Sequence, residues 1–183
     1  RVLFRSSCIY PRDCPQPIKE NYLLSGPLES TNSAYAIAKI SGVELVNSYR
    51  RQYDKKWVSV MPTNMYGPRD NFNTKTAHVI PSLVNKFVTA VELSLPHVVL
   101  WGSGKAKREI MHSKDFAEAL YFLMQRNLPN SIINVGSGEE FEISELAEMI
   151  SSITGFNGKI IWDTSVPDGT PRKILDSSIL RNL

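Results

Sequence analysis

Short β-branched segments alternate with longer helix-like segments along this chain, and that alternation limits the folds that it can adopt. Residues 1–4 are predicted to end one strand, and further strands are predicted at 57–61, 98–101, 132–135 and 159–162. Strands that alternate with helices are typical of an α/β fold with a largely parallel sheet. Ligands of such sheets bind beyond the carboxyl ends of the strands, where Cys8, Asn64 and the loop after Val135 are expected to lie.

The longer segments carry apolar residues at helical spacing. Helices are predicted at about 34–53, 75–90, 113–126 and 144–155. Ser113 and Ser144 are predicted to cap the last two helices, and Gly155 is predicted to end the last one. Residues 12–32 show no clear period, and residues 62–68 hold two prolines and a glycine, so both segments are predicted to be irregular.

The composition excludes several classes of protein. The 183 residues are 42% hydrophobic and 21% charged, as in ordinary globular domains. No apolar run reaches the roughly 20 residues that a membrane-spanning helix needs, so we expect no membrane contact. A net charge of +3 is too small and dispersed to indicate nucleic acid, although it allows a local basic site for a phosphorylated ligand. Cys8 and Cys14 make neither a disulfide framework nor a zinc site, so we expect no metal and a reducing, cytoplasmic setting.

Tyr35 and Lys39 are a candidate catalytic pair. Residues four apart on a helix share one face. An unperturbed tyrosine has a pKa of about 10, and a neighbouring ammonium group is expected to lower the pKa of Tyr35 toward the range in which acid catalysis works. The pair alone is a weak indication, because many helices carry such a pair on a solvent-exposed face.

Several motifs together resemble those of the GDP-L-fucose synthase family, which belongs to the extended short-chain dehydrogenases. The resemblance covers nearly the whole chain and rests on Ser6-Ser7-Cys8-Ile9-Tyr10-Pro11, Tyr35-Ala36-Ile37-Ala38-Lys39, residues 61–72, Leu100-Trp101-Gly102, Arg108-Glu109 and residues 167–173. It implies the C-terminal part of a Rossmann-like, doubly wound parallel sheet with a smaller substrate-binding lobe. It also implies an NADPH-dependent conversion of GDP-4-keto-6-deoxy-D-mannose to GDP-L-fucose, by epimerisation at C3 and C5 and then reduction at C4.

The resemblance assigns catalytic roles to five residues. Tyr35 would donate a proton to the oxygen on C4, Lys39 would lower its pKa and bind the cofactor ribose, and Ser6 would hydrogen-bond the same oxygen. Cys8 and His78 would be the acid–base pair of the epimerisation, because a thiol and an imidazole exchange protons near neutral pH. Tyr35 and Ser6 would also stabilise the enolate that forms next to the C4 carbonyl. In isolation, Cys8 would be interpreted as a small buried residue and His78 as a surface histidine.

Binding residues are implied in the same way. Those for NADPH/NADP+ are Tyr35, Lys39, Pro62, Thr63, Asn64, Met65 and His78. Those for the GDP-sugar are Lys86, Trp101, Arg108 and Asp168. Arg108 has the guanidinium fork that matches phosphate oxygens, and Asp168 can accept hydrogen bonds from sugar hydroxyls. Trp101 fits core packing equally well.

Two features depart from the family pattern. The Gly-x-x-Gly-x-x-Gly turn that holds a cofactor pyrophosphate is absent, so we expect an N-terminally truncated chain that is inactive on its own. Arg5 replaces a small residue, which indicates that residues 1–6 are not native to the family sequence. The predicted domains are 1–65, the remaining part of the NADP-binding domain, and 66–183, mainly the substrate-binding lobe with segments that return to the sheet.

Other interpretations remain open for the activity. Another nucleotide-sugar epimerase or dehydratase would share Tyr35 and Lys39 but not the Cys8–His78 pair. A non-catalytic fragment would show no turnover.

The resemblance also implies a homodimer through helices that include the one carrying Tyr35.

Overall fold

The computed structural model describes residues 2–4, 6–73 and 76–183. Arg1, Arg5, Thr74 and Lys75 lie outside the described residues. The second helix is predicted to begin at Lys75. Within the described part, no helix combines the length and the apolar character that crossing a membrane requires.

Nine strands and five α-helices alternate along the described residues. The strands, β1 to β9 in chain order, are Val2–Phe4, Val58–Pro62, Asn64–Tyr66, His97–Trp101, Lys107–His112, Ile132–Val135, Glu140–Glu142, Lys159–Asp163 and Arg172–Lys173. The helices, α1 to α5, are Ser33–Tyr53, Val79–Glu92, Ser113–Met124, Ile143–Thr154 and Ser178–Arg181. The predicted α/β fold class is confirmed.

The chain forms two compact units. Unit 1 comprises residues 1–65, 109–139 and 173–183, and unit 2 comprises residues 66–108 and 140–172. The chain passes from one unit to the other within or next to short strands. Each unit has a parallel strand arrangement and α-helices of its own.

Unit 1 is built on a parallel sheet with the strand order β1–β2–β6. Phe4 of β1 pairs with Val60, and Pro62 of β2 pairs with Val135 of β6. All of β2 is buried, as expected for a central parallel strand that is covered on both faces. The three strands run in the same direction, so the segment that carries Cys8 leaves the sheet at the edge where β2 and β6 also end.

Helices cover both faces of this sheet. Ile40 and Val43 of α1 share a hydrophobic cluster with Met61, and Phe116 of α3 shares another cluster with Val60. Neighbouring residues of a strand point to opposite faces, so the two clusters lie on opposite sides of β2. The sheet is therefore doubly wound, as the resemblance implies.

Unit 2 contains the parallel pair β4 and β8. Val98 and Leu100 of β4 are buried and alternate with exposed residues, as in a strand with one covered face. Helices α2 and α4 contact each other. The rings of Phe87 and Phe156 pack edge to face with centroids 5.5 Å apart.

Pro62 contradicts the predicted loop at 62–68. It ends β2, and residues 64–66 form β3. Thr63 donates its N–H to Val135 O at 3.1 Å, so alternate N–H groups of β2 point toward β6 and the nitrogen of Pro62 points toward β1. Val60 is the last residue of β2 with which the described part of β1 pairs, so the missing N–H of Pro62 lies beyond that pairing.

The start of α2 and the capping residue of α3 also differ from the prediction. Helix α2 begins at Val79, with His78 at its N-cap, later than the predicted start at 75. Helix α3 is capped by His112 rather than Ser113, because the His112 Nδ1 atom accepts the N–H of Lys114 at 3.2 Å. An imidazole thus replaces the predicted hydroxyl.

Helix α4 is capped by Glu142 rather than Ser144. Glu142 and Glu145 form a reciprocal capping box, in which the Glu142 N–H donates to Glu145 Oε2 at 2.6 Å. The predicted end at Gly155 is confirmed, and this residue adopts the left-handed conformation that favours glycine.

Residues 12–32 lack long elements, as predicted, but they pack into unit 1. Ile18 is buried; it donates its N–H to Ile174 O at 2.8 Å and accepts the N–H of Asp176 at 2.8 Å. Upstream of this segment, the Tyr10 hydroxyl donates to Asn134 Oδ1 at 2.6 Å inside the core. The segment after Cys8 is therefore fixed by buried hydrogen bonds rather than left as a free loop.

Candidate active site

Cys8 lies in a short 3-10 turn over Ser7–Ile9, shortly after β1, and Ser6 is the N-cap of this turn. The Ser6 Oγ atom caps this turn by accepting the N–H of Cys8 at 3.3 Å. The turn begins where the strand ends because a serine side chain can replace the missing backbone partner of the first N–H groups. The cap places the two predicted residues next to each other, with Cys8 half-buried.

Lys173, in the last chain segment of unit 1, contacts Cys8. Its Nζ atom donates to Cys8 Sγ at 3.4 Å. Burial raises the pKa of the Cys8 thiol, but the charge of Lys173 and hydrogen bonds from Ser6, Lys173 and Asn32 outweigh that effect, so the pKa is lowered overall. Cys8 therefore has a larger thiolate fraction near neutral pH than an ordinary thiol. Neither Lys173 nor Asn32 was among the predicted site residues.

Tyr35 and Lys39 lie in the first turns of α1. The Lys39 Nζ atom is 5.2 Å from the centroid of the Tyr35 ring, which confirms that the two side chains share a face. Ala36 and Ile40, on the adjoining side of the helix, are buried in the core. Tyr35 remains 46% exposed, so its hydroxyl can be reached by a ligand.

Thr63 connects β2 to β3, and Asn64 is the first residue of β3. The Thr63 hydroxyl and the Asn64 Nδ2 group each donate to the main-chain oxygen of Glu109 at 3.0 Å. Pro62 is buried and Met65 is 38% exposed. One amide hydrogen of Asn64 is thus used within the protein, and the predicted contact with a carboxamide would need its remaining polar atoms.

Lys86 and Trp101 contact each other in unit 2. The Lys86 Nζ atom lies 5.1 Å from the Trp101 ring centroid and donates to Val99 O at 2.9 Å. Burial lowers the pKa of Lys86. Trp101 is 66% exposed, so the core-packing alternative is wrong and a flat aromatic face is open to a ligand.

Asp168 binds the loop that follows β4. Its two carboxylate oxygens accept the N–H and the hydroxyl of Ser103, each at 2.6 Å. These hydrogen bonds lower the pKa of Asp168. Burial lowers the pKa of Arg108, while the charge of Asp168 acts in the opposite direction. Arg108 itself donates to Lys107 O at 2.8 Å. Ser103 was not predicted, although its position between two glycines marks a turn that can fold onto a carboxylate.

His78 also lies in unit 2, exposed at the N-cap of α2. Its main-chain oxygen accepts the N–H of Ser82 at 3.0 Å, which fixes the backbone of the helix start. The residue follows closely on Thr74 and Lys75, which lie outside the described residues. Because Cys8 belongs to unit 1, the acid–base pairing of the two residues stays a prediction.

The predicted site residues thus separate into two groups. Those in unit 1 are Ser6, Cys8, Tyr35, Lys39, Pro62, Thr63, Asn64 and Met65, and those in unit 2 are His78, Lys86, Trp101, Arg108 and Asp168. The first group includes the groups suited to proton transfer, and the second includes cations and an aromatic face suited to a phosphorylated ligand.

Comparisons with known proteins identify the family of the chain. The model of the NAD dependent epimerase/dehydratase family matches residues 1–136. The chain is 50% identical to a probable GDP-L-fucose synthase 1 from Oryza sativa subsp. japonica and 48% identical to the GDP-L-fucose synthase of Escherichia coli, in each case over 97% of this chain and over 54% and 58% of the relative. It thus spans about half the length of the curated relatives that it matches.

A solved structure extends the likeness to three dimensions. The GDP-L-fucose synthetase of Naegleria fowleri bound to NADP superposes with a TM-score of 0.91 at 32% identity, over 99% of this chain and 59% of that one. The sheet edge, the helix that carries Tyr35 and Lys39, and the matched family model lead to one conclusion. The chain belongs to the NAD dependent epimerase/dehydratase family.

Proposed function

We propose that the protein carrying this chain converts GDP-4-keto-6-deoxy-D-mannose to GDP-L-fucose, by epimerisation at C3 and C5 followed by reduction at C4. The proposal rests above all on Cys8. A thiol whose pKa is lowered by Lys173, at the carboxyl end of a parallel strand, is suited to removing a proton from a carbon next to a ketone. The likeness to GDP-L-fucose synthases supports the choice of substrate.

Epimerisation would begin when the Cys8 thiolate takes a proton from C3 or C5, so that an S–H bond forms as the C–H bond breaks. The electron pair moves toward the C4 carbonyl oxygen, where the Tyr35 hydroxyl and Ser6 would donate hydrogen bonds to the enolate. His78 would return a proton to the opposite face of the same carbon. That proton inverts the configuration without any net oxidation.

Reduction would use the same carbonyl. Tyr35 would give its proton to the C4 oxygen, and the ammonium group of Lys39 lies near its ring, 5.2 Å from the centroid. Ser6 would keep the oxygen in place. Tyr35 and Ser6 would therefore serve both reactions at one position.

NADPH/NADP+ would bind to Tyr35, Lys39, the segment 62–65 and His78. The donor set fits the nicotinamide end, because Asn64 has an amide that can pair with a carboxamide and Lys39 has an ammonium group for ribose hydroxyls. When bound, the cofactor supplies the hydride that C4 receives. The chain has no Gly-x-x-Gly-x-x-Gly turn for the pyrophosphate, so the residues named above account only for the nicotinamide end of the cofactor.

Four residues of unit 2 would bind the GDP-sugar. Arg108 would bind the diphosphate, Trp101 would stack on a flat ring, and Lys86 would add a second positive charge. Asp168 would accept hydrogen bonds from hydroxyl groups of the ligand. These four residues carry the groups that a nucleotide-sugar needs: cations, an aromatic face and an acceptor.

A homodimer through α1 and a cytoplasmic location complete the proposal. Ile37, Leu45 and Tyr53 of α1 are each more than half exposed, so this helix has apolar side chains available to a partner. Cys8 and Cys14 are free thiols, as in reducing compartments. Sedimentation of the wild type and of Leu45→Glu would test the dimer, since only the variant should be monomeric.

Deuterium incorporation tests the activity. A chimera in which this chain replaces the matching segment of the Escherichia coli relative would be incubated with the keto-sugar and NADPH in D2O. We expect GDP-L-fucose labelled at C3 and C5. We expect Cys8→Ser to slow the labelling at least about 100-fold, while NADPH can still be oxidised by reduction of the unepimerised keto-sugar. Cys14→Ser is the matched control and should behave as the wild type.

Three results would contradict the proposal. Unchanged labelling in Cys8→Ser would remove Cys8 from the mechanism. Labelling without NADPH oxidation in the unsubstituted chimera would indicate an epimerase of another type. No reaction in a folded chimera would favour a non-catalytic role.

A further inference from the structure

Glu109 is a buried acidic residue whose carboxylate joins two distant segments of unit 1. Its side chain is 0% exposed. Oε1 accepts the N–H of Gly138 at 2.7 Å, and Oε2 accepts the N–H of Leu175 at 2.9 Å. Among the described residues, no lysine, arginine or histidine side chain forms an ion pair with it within 4.0 Å. Its partners are main-chain groups.

Gly136 shows how closely the backbone fits around this carboxylate. A Cβ atom built on Gly136 would overlap the carboxylate, with Glu109 Cδ only 2.7 Å away. The N–H of Gly136 donates instead to Ser177 Oγ at 2.9 Å. A side chain at position 136 would displace the carboxylate, so glycine is needed here for space.

The bond to Leu175 fixes the segment that carries Lys173. Lys173 lies two residues earlier and reaches Cys8 Sγ at 3.4 Å. Ile174, between them, donates its N–H to Gln16 Oε1 at 3.0 Å. The Glu109 carboxylate is therefore one of two side chains that hold the backbone from which the ammonium group extends to the thiol.

The main-chain oxygen of the same residue fixes the segment after β2. It accepts the Thr63 hydroxyl and the Asn64 Nδ2 group, both at 3.0 Å. A displacement of Glu109 would thus move two sets of residues at once, one at Cys8 and one at the proposed nicotinamide contact.

We infer that Glu109 is a positioning residue. Its carboxylate holds the backbone of Lys173 so that the ammonium group contacts Cys8, and its main-chain oxygen holds the side chain of Asn64. The part that concerns Asn64 rests on the proposed function. The part that concerns Cys8 does not, because the reactivity of a thiol can be measured without substrate.

The first experiment follows alkylation of Cys8 by iodoacetamide as a function of pH. It uses the 183-residue chain and the chimera, and mass spectrometry of the peptide that contains Cys8 gives the rate. In Glu109→Gln, one oxygen becomes an NH2 group that faces an N–H donor, so only one of the bonds to Gly138 and Leu175 can persist. We expect a threefold to tenfold slower alkylation at pH 7, on the order of what a rise of about 0.5 to 1 in the thiol pKa produces.

A double-mutant cycle separates positioning from general loosening. Lys173→Met should slow alkylation by itself, and Glu109→Gln should add little in the Lys173→Met background, because both changes remove the same contact. Glu118→Gln, on the exposed side of α3, is the matched charge control. Leu123→Ala, in the core under α3, lowers stability away from Cys8. Both controls should leave the pH profile unchanged.

The inference fails if Glu109→Gln leaves the profile unchanged, or if it slows alkylation equally with and without Lys173. Should Glu109→Gln not fold cooperatively in urea, Glu109→Asp replaces it, since this variant keeps both oxygens but shortens their reach. Glu109→Asp should then give a smaller slowing that again depends on Lys173, and no slowing would overturn the inference.

Glu109→Gln keeps the main-chain oxygen but loses part of the side-chain anchor of the residue. In the chimera, a shift of that oxygen should weaken its bond to Asn64 and raise the KM for NADPH about threefold, on the scale of one weakened hydrogen bond. A shifted Cys8 profile with an unchanged KM would confirm the part at the thiol and reject the part at Asn64. A chimera without activity would refute the proposed function and leave the alkylation result as it stands.

Discussion

The surroundings of Cys8 in unit 1 and of Asp168 in unit 2 both place hydrogen-bond donors on an ionisable group, but by different means. Lys173 reaches Cys8 from a backbone that buried Glu109 holds. Asp168 is exposed and is bound by Ser103 of a glycine-flanked loop. Buried hydrogen bonds are costly to leave unmade, whereas exposed ones are readily replaced by water. We therefore expect substitutions around Cys8 to have larger effects than those around Asp168.

Tyr35 tests whether exposure alone decides the size of an effect. It is 46% exposed, like many residues of little consequence, yet it is the proposed proton donor. In the chimera, Tyr35→Phe should lower kcat for NADPH oxidation by about 10² to 10⁴, because the ring remains and only the acid is lost. Tyr53→Phe, on the same helix and 53% exposed, is the matched control. A Tyr35→Phe rate equal to that of the control would show that another group donates the proton.

Tyr10 tests the buried side of the comparison without touching the chemistry. Its hydroxyl donates to the fully buried Asn134 at 2.6 Å. Tyr10→Phe leaves the Asn134 oxygen without this donor, so the free energy of unfolding should fall by about 1–3 kcal/mol. Urea titrations followed by circular dichroism give the value. Tyr121→Phe, at an exposed tyrosine of α3, should change it by less than about 0.5 kcal/mol. Equal effects at both positions would mean that a buried hydrogen bond is no more costly to lose here.

Lys173 tests the charge next to Cys8. The reactive form of a thiol is the thiolate, whose fraction grows as the pH rises through the pKa. The Cys8 pKa lies below its usual value because Lys173 and its other hydrogen bonds outweigh burial. In Lys173→Met burial acts with less opposition, so the pKa rises and the pH profile of deuterium incorporation at C3 and C5 moves to higher pH. At pH 7 the rate should fall about tenfold if the thiol pKa rises by about one. Lys114→Met, at an exposed position of α3, is the control and should leave the pH profile unchanged. An unchanged profile in Lys173→Met would show that Lys173 does not affect the pKa of Cys8.

How far the sequence predicts these features depends on the distance along the chain over which each one is determined. Helix α1 and the end of α4 at Gly155 follow from local spacing and local backbone preference, and both predictions are confirmed. The predicted capping residues of α3 and α4 are wrong. N-cap preferences favour Ser113 and Ser144, whereas the capping hydrogen bonds are formed by the imidazole of His112 and by Glu142 with Glu145.

The candidate site divides in the same way. The Tyr35–Lys39 pair is local and could be predicted. Lys173 lies 165 residues beyond Cys8, and the contact exists only because the chain returns to unit 1 near its end. Glu109 is similar, since its carboxylate binds main-chain groups, which carry no sequence signal. Contacts of this kind need the three-dimensional fold.

Ser103→Ala should give the smallest effect of the series and tests the exposed side directly. The hydroxyl of Ser103 donates to Asp168, and its N–H remains as a second donor after the substitution. The pKa of Asp168 should rise toward its usual value, because the largest cause of its lowering is this hydroxyl. A carboxylate with one donor fewer accepts ligand hydroxyls in a less fixed position, so KM for the GDP-sugar should rise about twofold to fivefold in the chimera with little change in kcat. Ser165→Ala removes the same kind of hydroxyl-to-carboxylate bond, made there to Asp163 at 2.6 Å, and should leave KM unchanged. Equal KM values for the two variants would remove Asp168 from the binding site, whereas an effect above about tenfold would mean that an exposed hydrogen bond here matters as much as the buried ones around Cys8.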